Sequence, residues 1–284
     1  MKRGRSPSQP DRSMVQTVSS GPALDGIRFS ATMGSWFAVL LFAGMLVMLE
    51  FGRRYGTRQR RLYGESHAAG LSAVEGAVFA LLGLLVAFTF SGAATRFDQR
   101  RSWIIEEAND MGTAYLRVDL LPPELQPPVR QKFREYVDAR IATYEALPDM
   151  EKAKEHLNRA NEIQGELWSL AIPAAQAAGV QAPVLLVPAL NAMFDISNVR
   201  TWATQMHPPE VVFVLLASLA LGCALIAGHG MAAAPERNWL HMIAFALVLA
   251  SAVFVITDLE FPRMGVFRVD AFDQAIVDVR RGMK

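Results

Sequence analysis

Charged residues are missing from four long stretches of this sequence. No Asp, Glu, Lys or Arg occurs in Phe29–Leu49, Gly76–Thr95, Val211–Pro235 or Asn238–Thr257. A helix of roughly 20 apolar residues is long enough to cross the hydrocarbon core of a bilayer. One charge at the centre of such a helix costs at least about 2.5–3.5 kcal/mol. The four windows therefore predict four transmembrane helices in a multi-pass protein that resides in a lipid bilayer.

Cysteine is nearly absent as well. Cys223 is the single cysteine and lies inside the third window, so no intramolecular disulfide can form. The formal net charge of +1 excludes the basic character that a nucleic-acid-binding protein needs. The alternation of apolar and polar residues that marks a half-buried strand is also missing. These absences predict an all-α fold and no nucleic acid partner.

Motifs that support catalysis or cofactor binding are missing too. The sequence has no phosphate-binding glycine loop, no serine elbow and no pair of histidines at metal-ligand spacing. His229 and His241 flank the link between the third and fourth windows. They are interpreted as interfacial polar residues or, alternatively, as a pair that shares a metal or senses pH. We expect no enzymatic activity, no cofactor and no metal.

Charge is concentrated instead between the second and third windows. Residues 96–210 hold 12 Lys and Arg and 16 Asp and Glu residues. Apolar residues recur there at helical spacing, and the first such stripe follows the second window without a helix breaker: Ile104, Ala108, Met111, Tyr115 and Val118. The second span is therefore predicted to leave the membrane as one long helix that stops before Pro122.

Five regions follow from this pattern. A disordered tail covers 1–28, transmembrane helices 1 and 2 cover 29–95, and a central helical domain continuous with helix 2 covers 96–210. Transmembrane helices 3 and 4 cover 211–257, and a tail with a short amphipathic helix covers 258–284. The predicted fold is all-α, with four transmembrane helices and a helical bundle inserted between helices two and three. The central domain is predicted to hold three further helices, near 127–147, 149–178 and 184–206.

Four charged residues at the ends of the windows are candidates for an ion path or for interfacial charges. Glu75 precedes the second window, and an ionisable residue at the mouth of a span is typical of an ion path. The alternative is an interfacial salt bridge. Asp258 and Glu260 end the fourth window, where two carboxylates and free helix carbonyls could form a hard, oxygen-rich cation site. Alternatively, Arg263 pairs with one of them and stabilises the helix end.

The orientation of the spans is not fixed by the positive-inside rule. Six arginines lie near the two short links, and seven lie near the spans on the other side. The density of arginine in 53–61 favours a cytoplasmic first link. The positive charge of the N-terminal tail, which would then have to cross the membrane, opposes it.

Several segments resemble a bacterial membrane family of unknown function that carries the label bestrophin-like. The similar segments lie, in order, between about residues 70 and 269: Gly76–Phe88, Glu106–Ala108, Tyr115–Arg117, Leu120–Pro122, Leu190–Asp195 and Asp258–Gly265. The resemblance implies a relation to bestrophins, which are pentameric anion channels with four spans per subunit. It also implies that the region between spans two and three is cytoplasmic, opposite to the orientation that the first link favours.

Two departures from the bestrophin pattern are visible. Phe79, Phe88 and Phe90 are not spaced to place all three on one helix face, so no aromatic pore neck is apparent. Glu260 stands where the family's terminal motif leads us to expect Asp. We therefore expect an oligomeric, channel-like or ion-permeating assembly in a bacterial inner membrane. The alternative is a non-conducting membrane scaffold or sensor whose central helical domain binds a partner.

Overall fold

The computed structural model describes residues 31–63, 71–234 and 236–284. The predicted disordered tail, 1–28, lies outside these ranges. Within them the chain is helical and has no strand, which confirms the all-α prediction. The helices, in chain order, are α1 (Ala31–Tyr63), α2 (Leu71–Arg117), α3 (Gln126–Glu145), α4 (Met150–Ala177), α5 (Gln181–Ala203), α6 (Glu210–Gly230), α7 (Trp239–Glu260) and α8 (Asp270–Gly282).

Local sequence signals account for several helix ends. α3 begins with two prolines in its first turn, where a missing N–H costs nothing. The side chain of Asp149 accepts a hydrogen bond from the Lys152 N–H at 3.2 Å and caps α4. Asn238 caps α7 in the same way, through the His241 N–H at 3.3 Å. Gly179 separates α4 from α5 with a φ of 89°, a left-handed conformation that glycine adopts without strain.

Five of these helices are long and apolar enough to cross a membrane. Four of them overlap the predicted windows: Ser35–Leu62, Ala73–Leu120, Glu210–Ala233 and Trp239–Glu260. The fifth is α5, which the sequence analysis assigned to the central bundle; it is the least apolar of the five and the most buried. The predicted count of four is thus not confirmed. A second difference is that Arg53–Arg61, expected as a link, forms the last turns of α1.

The chain divides into two compact units. The membrane-helix unit comprises the described parts of 28–101 and 206–271, and the central unit comprises 102–205 and 272–284. In the membrane-helix unit α1 packs against α6 and α7. Its core includes Met45, Leu49, Leu216, Cys223 and Met242.

Two glycines bring α1 and α6 into backbone contact within the membrane-helix unit. A Cβ atom on Gly52 would overlap the carbonyl oxygen of Leu225, and one on Gly228 would overlap that of Leu49. Small residues at such positions allow transmembrane helices to approach closely, since dispersion contacts rather than water drive their association. The absence of a side chain at Gly52 and Gly228 therefore explains how α1 and α6 can pack so closely.

In the central unit, α3 packs on α4 and α4 packs on α5. The five apolar residues predicted as a stripe on the second helix are all buried: Ile104, Ala108, Met111, Tyr115 and Val118. α8 belongs to this unit and buries Ile276. Arg280 of α8 donates two hydrogen bonds to Asp138 of α3, at 2.6 and 2.9 Å. The carbonyl of Lys284 accepts hydrogen bonds from Tyr115 and Arg134.

Candidate ion pathway and charged clusters

Glu260 is fully buried at the end of α7 and is contacted by two arginines and a histidine. Arg96 of α2 donates from Nε to both carboxylate oxygens of Glu260, at 3.0 and 3.1 Å, and from Nη2 to Oε1. Arg100 Nη2 lies 4.0 Å from Oε2, and His207 Nδ1 lies 3.7 Å from it. The His207 ring stacks on Phe261 with centroids 4.5 Å apart. A buried carboxylate is tolerated when it is paired and hydrogen-bonded, as this one is.

Asp258 has a different surrounding, although it lies only two residues earlier. Its carboxylate accepts hydrogen bonds from the backbone N–H groups of Val266, at 3.0 and 2.9 Å, and of Phe267, at 2.7 Å. A Cβ atom on Gly265 would overlap this carboxylate. Asp258 therefore closes the loop that follows α7, and both of its carboxylate oxygens accept hydrogen bonds from backbone N–H groups. Arg263, in the same loop, forms an ion pair with Asp270 at 3.2 Å, a partner that the sequence analysis did not consider.

Glu75 lies at the other end of the membrane helices. Its Oε1 atom is 4.0 Å from Nδ1 of His229, which also contacts Gln59 at 3.3 Å. Glu75 and Arg96, the partner of Glu260, are 21 residues apart on α2, or about 31 Å at 1.5 Å per residue. The structure thus brings Asp258, Glu260 and Arg263 into one region and separates Glu75 from them. Within the described ranges, no group of three or more His, Cys, Asp or Glu is placed to hold a metal ion.

A buried charge network in the central unit was missed by the sequence analysis. Glu107 of α2 is fully buried; its Oε1 accepts from Arg140 Nε at 2.8 Å and its Oε2 accepts from Arg200. Arg200 also donates to Asp273 at 3.1 Å. Both guanidinium groups lie over the Tyr144 ring, 5.2 and 4.1 Å from its centroid. Burial alone would lower the pKa of Arg140, but the Glu107 carboxylate, together with Tyr144 and Tyr136, outweighs it and raises that pKa.

The signal that could have revealed this network is weak. Glu107 lies directly before Ala108, and Arg140 and Arg200 lie within the apolar faces of α3 and α5, so each charge occupies a position that helical periodicity assigns to the core. Buried arginine and glutamate are rare unless they are paired. Nothing in a single sequence indicates which partner each one finds.

Helix α2 has an open face along its whole length. Only 11% of its apolar window is buried, against 28% for α1 and α6 and 33% for α7. Exposed residues recur every three or four positions on this face: Ala77, Ala80, Leu84, Phe88, Ser91, Thr95, Asp98, Ser102, Glu106, Asn109 and Thr113. The face changes from apolar to polar at Ser91, and it carries two acidic residues and no Lys or Arg. Asp98 is paired with Arg101 at 2.9 Å.

Comparison with known proteins identifies the family. The family model for the bestrophin-like domain matches residues 36–271. The chain belongs to the bestrophin-like family. This agrees with the resemblance found in the sequence, and members of this family are known as ion channels. No curated protein matches the chain.

Solved structures support the same fold for the bestrophin-like chain. Two crystal structures of point variants of a bacterial bestrophin homologue from Klebsiella pneumoniae superpose with TM-scores of 0.60 and 0.61. Each shares 12% sequence identity; the matches cover 84% and 86% of this chain and 98% of the homologue. At this identity the match concerns the fold alone. The bestrophin-like chain is therefore a multi-pass membrane protein with a fold that bacterial bestrophin homologues share.

Proposed function

We propose that the protein is an oligomeric, ion-permeating channel of a bacterial inner membrane, in which the open face of α2 from each copy lines the path. The exposure of α2 is the observation that carries this proposal. The other transmembrane helices of the membrane-helix unit pack on one another, whereas α2 leaves a continuous line of side chains uncovered. Within the predicted span this face ends in the exposed hydroxyl side chains of Ser91 and Thr95, which suit a water-filled path better than lipid because polar groups in hydrocarbon are costly.

The composition of the open face favours cations as the permeant ions. Small hydroxyl and amide side chains alternate with Asp98 and Glu106, and no basic side chain lies among them. Rings of acidic side chains attract cations in channels, and rings of basic side chains attract anions. Arg101 offsets the charge of Asp98. Glu106 forms no ion pair in the described part of the chain, so it would contribute most of the negative electrostatic potential along this face.

The predicted site residues take supporting positions in this proposal. Glu75 and Glu260 lie about one bilayer thickness apart and would shape the charge at the two mouths of the path. Asp258 and Arg263 would hold the loop after α7 in place through Val266, Phe267 and Asp270.

Cysteine accessibility tests which face lines the path. Cys223→Ala removes the single native cysteine, and Ser91→Cys and Thr95→Cys then place a thiol on the open face. A cationic methanethiosulfonate reagent should block ion flux into liposomes through these two variants. Val248→Cys on α7 is the matched control, since Val248 is exposed and apolar but lies on another helix. The proposal is wrong if liposomes show no flux under any ion or voltage, or if the reagent acts equally on the control.

A second candidate function is a non-conducting scaffold or sensor. It is favoured by the exposed apolar residues at the start of α5, Val184 and Leu185, and by Trp202 near its end. Such a surface in the central unit would suit a partner protein. Stoichiometric capture of one partner by the full chain, abolished by Val184→Asp and accompanied by no ion flux, would establish this function in place of the channel.

A further inference from the structure

A cavity of about 190 Å³ opens in the membrane-helix unit beside the last turns of α1. It is lined by Arg53 of α1, by Met231, Ala234 and Glu236 of the link between α6 and α7, and by residues of the first turn of α7. Most of the exposed lining is apolar, and the hydrogen-bonding groups of Arg53, Glu236, Asn238 and His241 contribute a small part of it. None of the residues that line the cavity belongs to α2, so the cavity plays no part in the proposed ion path.

Arg53 is the residue in this cavity that lacks a partner. Its Nε atom is buried, and no acceptor among the described residues lies within hydrogen-bond distance of it. The nearby carboxylate of Glu50 accepts from Arg54 at 2.7 Å and from Arg237 at 2.8 Å, both through Oε1, whereas its buried Oε2 has no hydrogen-bond partner among the described residues. Across the residues that the structure describes, Arg53 forms no ion pair. A buried donor without an acceptor is rare in native proteins and indicates a group that binds there.

Aromatic residues place the cavity at the depth of the lipid headgroups. Tyr55 on α1 and Trp239 on α7 are exposed at this end of the helices, and Trp36 is exposed near the other end of α1. Tyr and Trp gather at the two membrane interfaces. Trp36 and Tyr55 are 19 residues apart, or about 28 Å at 1.5 Å per residue, close to the thickness of a hydrocarbon core. Arg53 therefore lies at the boundary between acyl chains and headgroups.

We propose that this cavity binds the headgroup phosphate of one anionic phospholipid. The Arg53 guanidinium donates to the phosphate, and His241 and the amide of Asn238 line the same space. The first carbons of the lipid then lie against Met231 and Met242. Arg58, Arg60 and Arg61, farther along α1, add a diffuse attraction for a negatively charged surface. Glu236 at the rim opposes this charge, so its removal should tighten binding.

Short-chain lipids in detergent solution test the proposal with the full chain. The purified protein is titrated with dioctanoyl phosphatidylglycerol, dioctanoyl phosphatidylcholine and inorganic phosphate. We expect saturable binding of phosphatidylglycerol alone. Arg53→Gln should weaken it about tenfold or more, as the loss of a charge-assisted hydrogen bond does. Arg58→Gln is the matched control, since Arg58 is exposed on the same helix, and it should weaken binding less than threefold.

Two further variants distinguish the effect of the cavity's volume from the effect of its charge. Ala234→Trp fills the space and leaves every charge in place, so it should abolish saturable binding, whereas Glu236→Gln should preserve or tighten it. Equal losses in Arg53→Gln and Arg58→Gln would overturn the proposal in favour of diffuse attraction to the helix. Equal binding of phosphatidylcholine, full competition by inorganic phosphate, or undiminished binding by Ala234→Trp would overturn it as well.

Discussion

Glu107 and Arg140 form a hydrogen-bonded ion pair of 2.8 Å in which neither side chain is more than 1% exposed. Removing one partner of a buried pair leaves an uncompensated charge, which typically costs about 3–5 kcal/mol. Because Arg200 pairs with the same carboxylate, removal of Glu107 leaves two buried guanidinium groups without this counter-charge. We expect Glu107→Ala to lower the unfolding temperature in detergent markedly, or to prevent the protein from accumulating.

The neighbouring residue supplies the control for this change. Glu106 is exposed and lies outside the network, so Glu106→Ala should change the unfolding temperature by little. A similar loss of stability in both variants would contradict the role assigned to the Glu107 network.

Tyr136 should make the central unit sensitive to alkaline pH. Burial raises the pKa of Tyr136 to about 12, and the positive charge of Arg140 opposes this only in part. The folded pKa exceeds the ordinary value of about 10, so this stability is fully present below pH 10 and falls as the pH rises toward 12. The loss should approach about 2–3 kcal/mol. It is measured as the free energy of unfolding against pH.

Tyr136→Phe isolates this contribution. The hydroxyl has no hydrogen-bond acceptor or donor of normal geometry in the described structure, so the variant should fold with nearly unchanged stability at pH 7 and show a smaller decline above pH 10. An identical alkaline decline in both proteins would assign the effect to other groups.

The contact between α1 and α6 should not tolerate a methyl group. Gly52→Ala places a Cβ against the Leu225 carbonyl, and overpacking of this kind typically costs about 1–3 kcal/mol. Gly83→Ala on α2 is the matched control, because nothing lies within 4 Å of its added Cβ and alanine favours helix more than glycine does. We expect a lower unfolding temperature for the first variant and an equal or higher one for the second. The reverse order would be incompatible with this packing.

The loop after α7 should depend on Gly265. An added Cβ would displace the Asp258 carboxylate from the backbone N–H groups of Val266 and Phe267. Gly265→Ala should therefore destabilise the protein more than Asp258→Asn, which keeps one acceptor oxygen. Hydrogen exchange of the Val266 and Phe267 amides measures the effect directly. If these amides exchange at the wild-type rate in Gly265→Ala, Asp258 does not hold the loop.

Ion selectivity should depend on Glu106. In liposomes that hold a salt gradient, Glu106→Gln should shift the reversal potential toward zero, because it removes the unpaired negative charge of the open face of α2. Glu124→Gln, another acidic residue of the central unit but outside α2, is the control. An unchanged reversal potential in Glu106→Gln would remove the basis for cation preference.

The apolar windows were predictable because the membrane imposes a simple condition on composition. Residues between Gly76 and Thr95 that face lipid must avoid charge, whatever the rest of the chain does. The stripe from Ile104 to Val118 was equally readable, since it depends on helical period alone. Pro122 and Pro127 marked the boundaries of α2 and α3 through the loss of a backbone donor.

Long-range pairs were not predictable in the same way. Glu107 and Arg200 are 93 positions apart, and Glu260 and Arg96 are 164 apart, so only folding brings them together. The basic segment 53–61 was interpreted as a link because arginine does not suit a bilayer core. The structure continues α1 through it, since arginine is a good helix former and the segment has no proline. α5 was ambiguous because an apolar helix can suit either a bundle core or a membrane.

The reciprocal approach of Gly52 to Leu225 and of Gly228 to Leu49 has a mechanical consequence. Contacts between two backbones cannot be adjusted by a change of side-chain rotamer, so α1 and α6 can slide or rotate against each other only if they first separate. The pair must therefore behave as one rigid body. If a passage in the membrane-helix unit opens or closes, α2 is then the helix expected to move, because it is the least buried helix of this unit.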